Sequence, residues 1–166
     1  MAMIEIPEWY NASVLLDRNL EAGRSGKVAI RCGDEEVTYG ELARRVSRFG
    51  HGLRELGVRQ EDRVLLVLND TPAFPVAFFG AMRIGAVPIP VNTLLKAEDY
   101  RFFVEDSRAR VVVADLMHLE KVAEGLEGVE ERPLVVPVGG GEGDGPSFEE
   151  LLGGGEDELS PARTHR

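Results

Sequence analysis

Short apolar runs recur at regular spacing along the second half of the chain. They begin near residues 63, 86, 111 and 133, and each gap of 22 to 25 residues has room for a helix. Strands that alternate with helices pair in parallel, because each helix carries the chain back to the starting edge of the sheet. The pattern predicts an α/β fold, a layered parallel sheet with flanking helices.

The segment from Arg63 to Asn92 organises this prediction. Val64–Leu68 is a short apolar run that includes β-branched valines, as expected for a strand covered on both faces. Thr71 is predicted to cap the following helix and Pro72 to take its first position, where no backbone donor is needed. Ala73–Ile84 is apolar nearly all round, so we expect this helix to be buried.

Two features of the same segment predict how it packs. Gly80 has no side chain, so another backbone can approach the helix closely there. Val87–Val91 is a second extended run, expected to lie parallel to the first. Pro88 and Pro90 cannot donate to a neighbouring strand, so this strand should lie at an edge or end early.

The first 60 residues predict two helices separated by a short β-hairpin. The first helix covers 11–22, and the hairpin joins 27–31 to 36–39. Thr38 and Glu41 fit a capping box, in which each side chain satisfies the free backbone N–H of the other residue. The helix that follows carries one apolar stripe, formed by Leu42, Val46, Phe49, Leu53 and Leu56.

The chain after Lys96 continues the alternation of helix and strand. Lys96–Ser107 predicts a helix, and Arg110–Ala114 and Pro133–Val138 predict two further buried strands. The inward face of this helix is predicted to be Tyr100, Phe103 and Val104. Asp115 is predicted to cap a helix between the two strands. The residues of that helix expected to face the core are Leu116, Leu119, Val122, Ala123 and Leu126.

The composition changes at Gly139. Residues 139–166 are rich in glycine and acidic residues, and their only apolar patch is Phe148, Leu151 and Leu152. We expect a loose tail or linker with a single helical turn. The predicted organisation is an α/β subdomain over 1–138 followed by this acidic segment.

Composition excludes several classes of partner. A net charge of −10 argues against nucleic acid and against an anionic membrane surface as partners. No apolar run approaches the ~18 residues of a membrane span, and the acidic start near Glu5 does not resemble a signal peptide. Cys32 is the only cysteine, so no internal disulfide is possible and a cytoplasmic setting is expected.

Motifs that carry chemistry are absent from the sequence. It lacks GxxxxGK[ST], HExxH, CxxC and GxSxG, and no GxGxxG follows a predicted strand. The histidines His51, His118 and His165 are far apart in sequence, and Cys32 is interpreted as a small core residue. The residue pattern by itself therefore assigns no catalytic residue and no metal site.

Several stretches nevertheless resemble a known enzyme family. VTYGEL at Val37–Leu42 is similar to the first core motif of adenylate-forming enzymes, which include the acyl-CoA synthetases, and MRIGAVPIPVN at Met82–Asn92 is similar to the second. The stretches Tyr10–Arg24, Val64–Leu95 and Ala97–Val113 resemble benzoate-CoA ligases and their hydroxybenzoate relatives. The resemblance extends to about residue 138 and corresponds to part of the large N-terminal domain of these enzymes.

The resemblance implies an activity for a longer parent protein. Its members form an acyl-adenylate from a carboxylate and Mg-ATP and then pass the acyl group to coenzyme A, so ATP, Mg and CoA are the implied cofactors. They hold the phosphates with a Ser/Thr/Gly-rich loop that ends in lysine and with later charged residues. This chain contains none of those segments. We therefore carry over no catalytic residue and expect the remainder of the ligase to be the main partner.

One position bears on coenzyme A binding. Some relatives place a basic residue just after the second motif, near the CoA phosphates. The corresponding position here is Leu94, with Lys96 two residues further on. This departure favours a solvated Lys96 over a CoA contact, so no cofactor-binding residue is assigned.

The preferred hypothesis is an N-terminal fragment of an aryl-CoA ligase that is inactive by itself. Its apolar surface, normally covered by the remainder of the enzyme, should promote self-association. A second hypothesis is a stand-alone interaction module that keeps the fold without catalysis. A flavodoxin-like nucleotide binder ranks third, because residues 69–72 lack the glycine of a phosphate loop.

Overall fold

The computed structural model describes residues 7–141 and 143–165. Six helices and six strands follow one another in this part of the chain. In order they are α1 (Val14–Glu21), β1 (Val28–Cys32), β2 (Glu35–Thr38), α2 (Tyr39–Glu55), β3 (Arg63–Val67), α3 (Ala73–Arg83), β4 (Val87–Pro90), α4 (Ala97–Ser107), β5 (Val111–Asp115), α5 (Leu119–Gly125), β6 (Leu134–Val138) and α6 (Phe148–Gly153). A 3-10 turn, Leu116–His118, precedes α5.

A four-stranded parallel sheet in the order β4-β3-β5-β6 forms the centre of the fold. Leu66 and Val113 point to a core that includes residues of α2 and α3. Leu65 and Val112 point to the opposite core, which includes residues of α4 and α5. Successive side chains of a strand alternate between its faces, so an uninterrupted apolar strand fills both cores. The predicted layered parallel sheet and the edge position of β4 are confirmed.

The prediction that α3 is buried is confirmed in part, because five of its eleven residues are buried. All of its residues are buried or half-buried. A Cβ atom at Gly80 would lie 2.8 Å from Cδ1 of Phe49 and 3.2 Å from the carbonyl oxygen of Val46. Glycine at this position therefore allows α2 and α3 to pack closely, which confirms the predicted close approach.

The antiparallel β1–β2 hairpin is confirmed, and the helix that follows it begins at a true N-cap. Thr38 Oγ1 accepts a hydrogen bond from the Glu41 N–H at 3.2 Å. The prediction that the Glu41 side chain bonds the Thr38 backbone N–H in return is wrong, because the Glu41 carboxylate pairs instead with Arg44 and Arg45. Two guanidinium groups are stronger partners for a carboxylate than one backbone N–H.

Two other predicted caps are also wrong. Pro72 occupies the N-cap position of α3, and the hydroxyl of Thr71 makes no capping bond. Asp115 does not cap the 3-10 turn after β5, because its carboxylate accepts hydrogen bonds from Asn69.

The inward face predicted after Asp115 is partly wrong. Val122 and Leu126 are buried, but Leu116 is 52% exposed and Ala123 is also exposed. The 3-10 turn has three residues per turn rather than 3.6, so positions counted from Leu116 lose the α-helical phase.

The expectation of a loose segment after Gly139 is wrong for the described residues. Phe148, Leu151 and Leu159 are buried in the core that contains α2 and α3. Ser147 and Glu150 form a complete capping box at the start of α6. The assignment of 139–166 as a linker toward an ATP-binding segment stays a prediction.

Candidate functional site at the carboxyl edge of the sheet

The order of the strands creates a crevice at one edge of the sheet. From β3 the chain moves to β4 on one side, and it then returns past β3 to form β5 on the other side. The connections leaving β3 and β5 therefore diverge at the carboxyl ends of these strands. Ligands of open α/β sheets bind in such a crevice.

Three polar side chains meet in this crevice. Oδ2 of Asp115 accepts hydrogen bonds from the backbone N–H of Asn69 at 2.6 Å and from its side-chain amide at 2.8 Å. The amide oxygen of Asn69 lies 3.3 Å from Nε2 of His118, which is 8% exposed. This network joins the ends of two strands whose contacting residues are 46 positions apart.

A cleft of about 440 Å³ opens beside this network. Its lining consists of Asn69, Thr71, Asp115, Leu116, Met117 and Val138. Met117 is 75% exposed at the rim. The hydroxyl of Thr71 is buried, and the described part of the chain offers it no hydrogen-bond partner. The cleft therefore has a largely apolar wall, and the Thr71 hydroxyl beside it is shielded from solvent.

The polar groups beside the cleft are engaged with one another. The carboxylate of Asp115, the amide of Asn69 and the ring of His118 bond one another, and no serine or cysteine thiol stands beside the histidine in this network. Across residues 7–141 and 143–165, no three His, Cys, Asp or Glu side chains converge as a metal site requires.

The position considered for coenzyme A lies on a different surface. Leu94 is 84% exposed, and Nζ of Lys96 lies 3.6 Å from a carboxylate oxygen of Glu98, with both side chains largely in solvent. These residues line a groove of about 710 Å³ next to α4 and α5. Arg101, in the same groove, already donates to the carbonyl oxygens of Gly125 and Glu127. Lys96 is solvent-exposed, as predicted, and it is not assigned a contact with coenzyme A.

The other residues considered from sequence lie at separate places. Nε2 of His51 is 3.1 Å from the carbonyl oxygen of Glu158, and His165 is 3.6 Å from the carboxylate of Glu8. Cys32 is half-buried at the end of β1. Of the three histidines, only His118 lies in the crevice. No sequence motif singles out its partner Asn69, although a polar residue directly after a buried strand is the signal that marks a carboxyl edge.

Electrostatics at the crevice do not favour a phosphate. Asp115 contributes an acceptor, and none of the residues that line the cleft is basic. Arg and Lys side chains are the usual protein partners of phosphate oxygens. A neutral or apolar group fits this lining better than a nucleotide does.

In the part of the chain that the structure describes, no helix is both long enough and apolar enough to cross a bilayer.

Comparison with known proteins identifies a family. The profile of the AMP-binding enzyme family matches residues 16–162. The 4-hydroxybenzoate–CoA/benzoate–CoA ligase of Rhodopseudomonas palustris is 40% identical over 93% of this chain, which spans 29% of that protein. The benzoate–CoA ligase of Thauera aromatica is 42% identical over 97% of this chain, which spans 31% of it.

Solved structures agree with this assignment. An anthranilate CoA ligase in complex with anthranoyl-AMP has a TM-score of 0.91 and 31% identity, covering 97% of this chain and 31% of its own. A benzoate CoA ligase from Burkholderia xenovorans has a TM-score of 0.82 and 38% identity, covering 93% of this chain and 30% of its own. The match to the family extends past residue 138, where the resemblance was expected to end. By profile, by identity and by fold, this chain belongs to the AMP-binding enzyme family.

Proposed function

We propose that this chain is the N-terminal portion of an ATP-dependent aryl-CoA ligase. The complete protein converts benzoate or a hydroxybenzoate, ATP and CoA into the aryl-CoA thioester, AMP and pyrophosphate through an aryl-adenylate. The observation that carries the proposal is the identity of 40% and 42%, over nearly the whole chain, to two ligases named for these acids. ATP, Mg and CoA are the cofactors of the complete enzyme in this proposal.

The role of this chain in the ligase is that of a scaffold. Attack of a carboxylate on the α-phosphate requires groups that neutralise phosphate charge and hold the attack in line. The crevice offers Asp115, Asn69 and a buried hydroxyl, which do not supply positive charge. We therefore assign the nucleotide chemistry to polypeptide outside these 166 residues, and we expect the chain alone to be inactive and to bind no cofactor tightly.

Two experiments test the proposal. The purified chain should show no ATP–pyrophosphate exchange with benzoate or 4-hydroxybenzoate, under conditions where the Rhodopseudomonas palustris ligase is active. Clear exchange would place the phosphate-binding groups inside this chain and overturn the scaffold assignment.

A chimera tests the family activity itself. Residues 16–162 of this chain would replace the matching segment of the Thauera aromatica ligase, which is 42% identical. We expect the chimera to retain benzoyl-CoA formation. The matched control carries Gly80→Val, whose Cβ would lie 2.8 Å from Cδ1 of Phe49. A folded chimera without adenylate formation would contradict the proposed function.

A stand-alone interaction module is the second candidate. Leu116 and Met117 are 52% and 75% exposed at the crevice, and neighbouring apolar side chains in solvent favour a protein partner. Size-exclusion chromatography over a range of concentrations tests whether a second copy covers them. A strictly monomeric chain would exclude self-association through this surface.

A further inference from the structure

Residues 157–165, called the strap from here on, follow α6 and are held in place by contacts with the surrounding helices. Arg48 of α2 pairs with Asp157 at 2.7 Å, and Nε2 of His51 lies 3.1 Å from the carbonyl oxygen of Glu158. At the far end, Thr164 Oγ1 donates to the carbonyl oxygen of Tyr10 at 2.7 Å. The strap thus joins α2 to the segment that precedes α1.

Arg83, at the end of α3, contacts the middle of the strap at two points. Its guanidinium donates through Nε to the carbonyl oxygen of Leu159, and its own carbonyl oxygen accepts from the Ala162 N–H at 2.7 Å. Nη1 of the same side chain lies 3.0 Å from Oδ1 of Asp17 in α1. Arg83 is 9% exposed, so few water molecules can replace these partners.

Two neighbours of Arg83 strengthen the same alignment. The side-chain amide of Asn11 donates to the carbonyl oxygens of Met82 at 2.7 Å and of Ala162 at 3.1 Å. Leu159 is 5% exposed, and a Cβ atom at Gly50 would lie 2.5 Å from its Cδ2. A shift of the strap by one residue would put Glu158 or Ser160 into this apolar space. Only one register therefore satisfies both the hydrogen bonds and the apolar contact.

We propose that Arg83 is a positioning residue that sets the register of the strap on α1 and on the C-terminal end of α3. The strap contains the last residues of the family match, which ends at residue 162. Any consequence of this register for the proposed ligase rests on the proposed function. The docking of the strap onto the helices does not depend on the proposed function.

The single tryptophan of the chain reports on the far end of the strap. The guanidinium carbon of Arg163 lies 4.1 Å from the centroid of the Trp9 ring, and the ring of His165 meets it edge-on at 5.2 Å. Two backbone amides report on its hydrogen bonds. The Ala162 N–H donates to Arg83, and the Tyr10 N–H donates to Thr164 at 2.9 Å.

The test compares Arg83→Met with the matched control Arg54→Met, at an exposed arginine of α2. We expect amide exchange at Ala162 and Tyr10 to become about 10- to 100-fold faster in Arg83→Met, as loss of a charge-assisted bond predicts. Acrylamide should quench Trp9 more strongly, while exchange in β3 and β5 stays unchanged. The conservative variant Arg83→Lys keeps a cation beside Asp17 and should restore part of the protection.

The outcomes separate positioning from general stability. Wild-type exchange and quenching in a folded Arg83→Met chain would overturn the proposal, and so would equal acceleration at the strap and in the sheet. If Arg83→Met does not fold, the same measurements are made on Asp17→Asn, because this variant removes the ionic partner that orients the Arg83 guanidinium. Faster exchange confined to the strap then supports the proposal, and unchanged exchange overturns it. No substrate is needed, so failure here and failure of the ligase activity are independent results.

Discussion

Replacing Gly80 with alanine is expected to destabilise the fold, because α2 and α3 pack without a side chain between them at this position. The added methyl group would lie 2.8 Å from Cδ1 of Phe49 and 3.2 Å from the carbonyl oxygen of Val46. Phe49 is fully buried, and its ring also packs against that of Phe148, with 5.0 Å between the centroids. The ring is therefore not free to turn away from the methyl group.

Two opposing effects set the size of the change. Overpacking a well-packed core costs about 1–3 kcal/mol. Alanine is favoured over glycine inside a helix by about 0.5–1 kcal/mol. Since the contacts involve a backbone oxygen and an enclosed ring, overpacking outweighs helix propensity. We expect Gly80→Ala to lower the free energy of unfolding by about 1–2 kcal/mol.

Urea unfolding followed by far-UV circular dichroism measures this difference. The matched control is Gly153→Ala in α6, where an added Cβ would meet no atom within 4 Å. The control should be unchanged, or more stable by up to ~1 kcal/mol. A Gly80→Ala chain as stable as wild type, with a control that behaves as expected, would refute the close packing of α2 on α3.

Three further substitutions test local features of the fold. Thr38→Ala removes the N-cap of α2 and should lower the free energy of unfolding by about 0.5–2 kcal/mol in the same urea assay, whereas Thr38→Ser keeps the acceptor and most of the stability. Hydrogen bonds from Arg44 and Arg45 lower the pKa of Glu41, so its stabilisation is present above the unfolded-state pKa and is lost as the pH falls through the lowered value. Glu41→Gln should therefore lower the free energy of unfolding at pH 7 by up to ~1 kcal/mol, a small effect because the ion pairs are partly exposed. In acid, the stability of this variant should converge with that of wild type. An equal difference at both pH values would contradict this. Asn69→Ala removes the amide that bonds Asp115 and His118 and should lower the free energy of unfolding in urea by about 1–3 kcal/mol. Unchanged stability would show that the network does not hold β3 and β5 together.

The sheet could be predicted from the sequence because its strands are apolar without interruption. Val111–Asp115 and Arg63–Val67 each contribute to both cores, so burial on two faces leaves a clear signal in composition. The proline pair in β4 likewise predicts an edge strand from backbone chemistry alone. These features depend on residues close together in sequence, and no distant partner competes with them.

The candidate site could not be predicted in the same way. Asn69 and Asp115 meet only because the chain reverses direction across the sheet after β4. From its neighbours in sequence, Asp115 is predicted to cap a helix. A prediction made from neighbouring residues cannot include a hydrogen-bond partner that lies 46 residues away. The hydrogen bonds to Asn69 form instead of the helix cap, because Asn69 offers two donors to one carboxylate oxygen of Asp115.

The order of the strap also depends on residues that are distant from it in sequence. By composition, residues 139–166 contain too few apolar side chains to order themselves, and that inference is sound for an isolated segment. The groups that order the strap lie elsewhere in the chain. Gly50 leaves space for Leu159, and Arg83 and Asn11 bind its carbonyl groups. Only a few strap residues supply side chains to these contacts, because most of the bonds are to its backbone. Its order is therefore encoded in the helices that it crosses, so substitutions at Arg83 or Asn11 should disturb it more than substitutions at its exposed side chains.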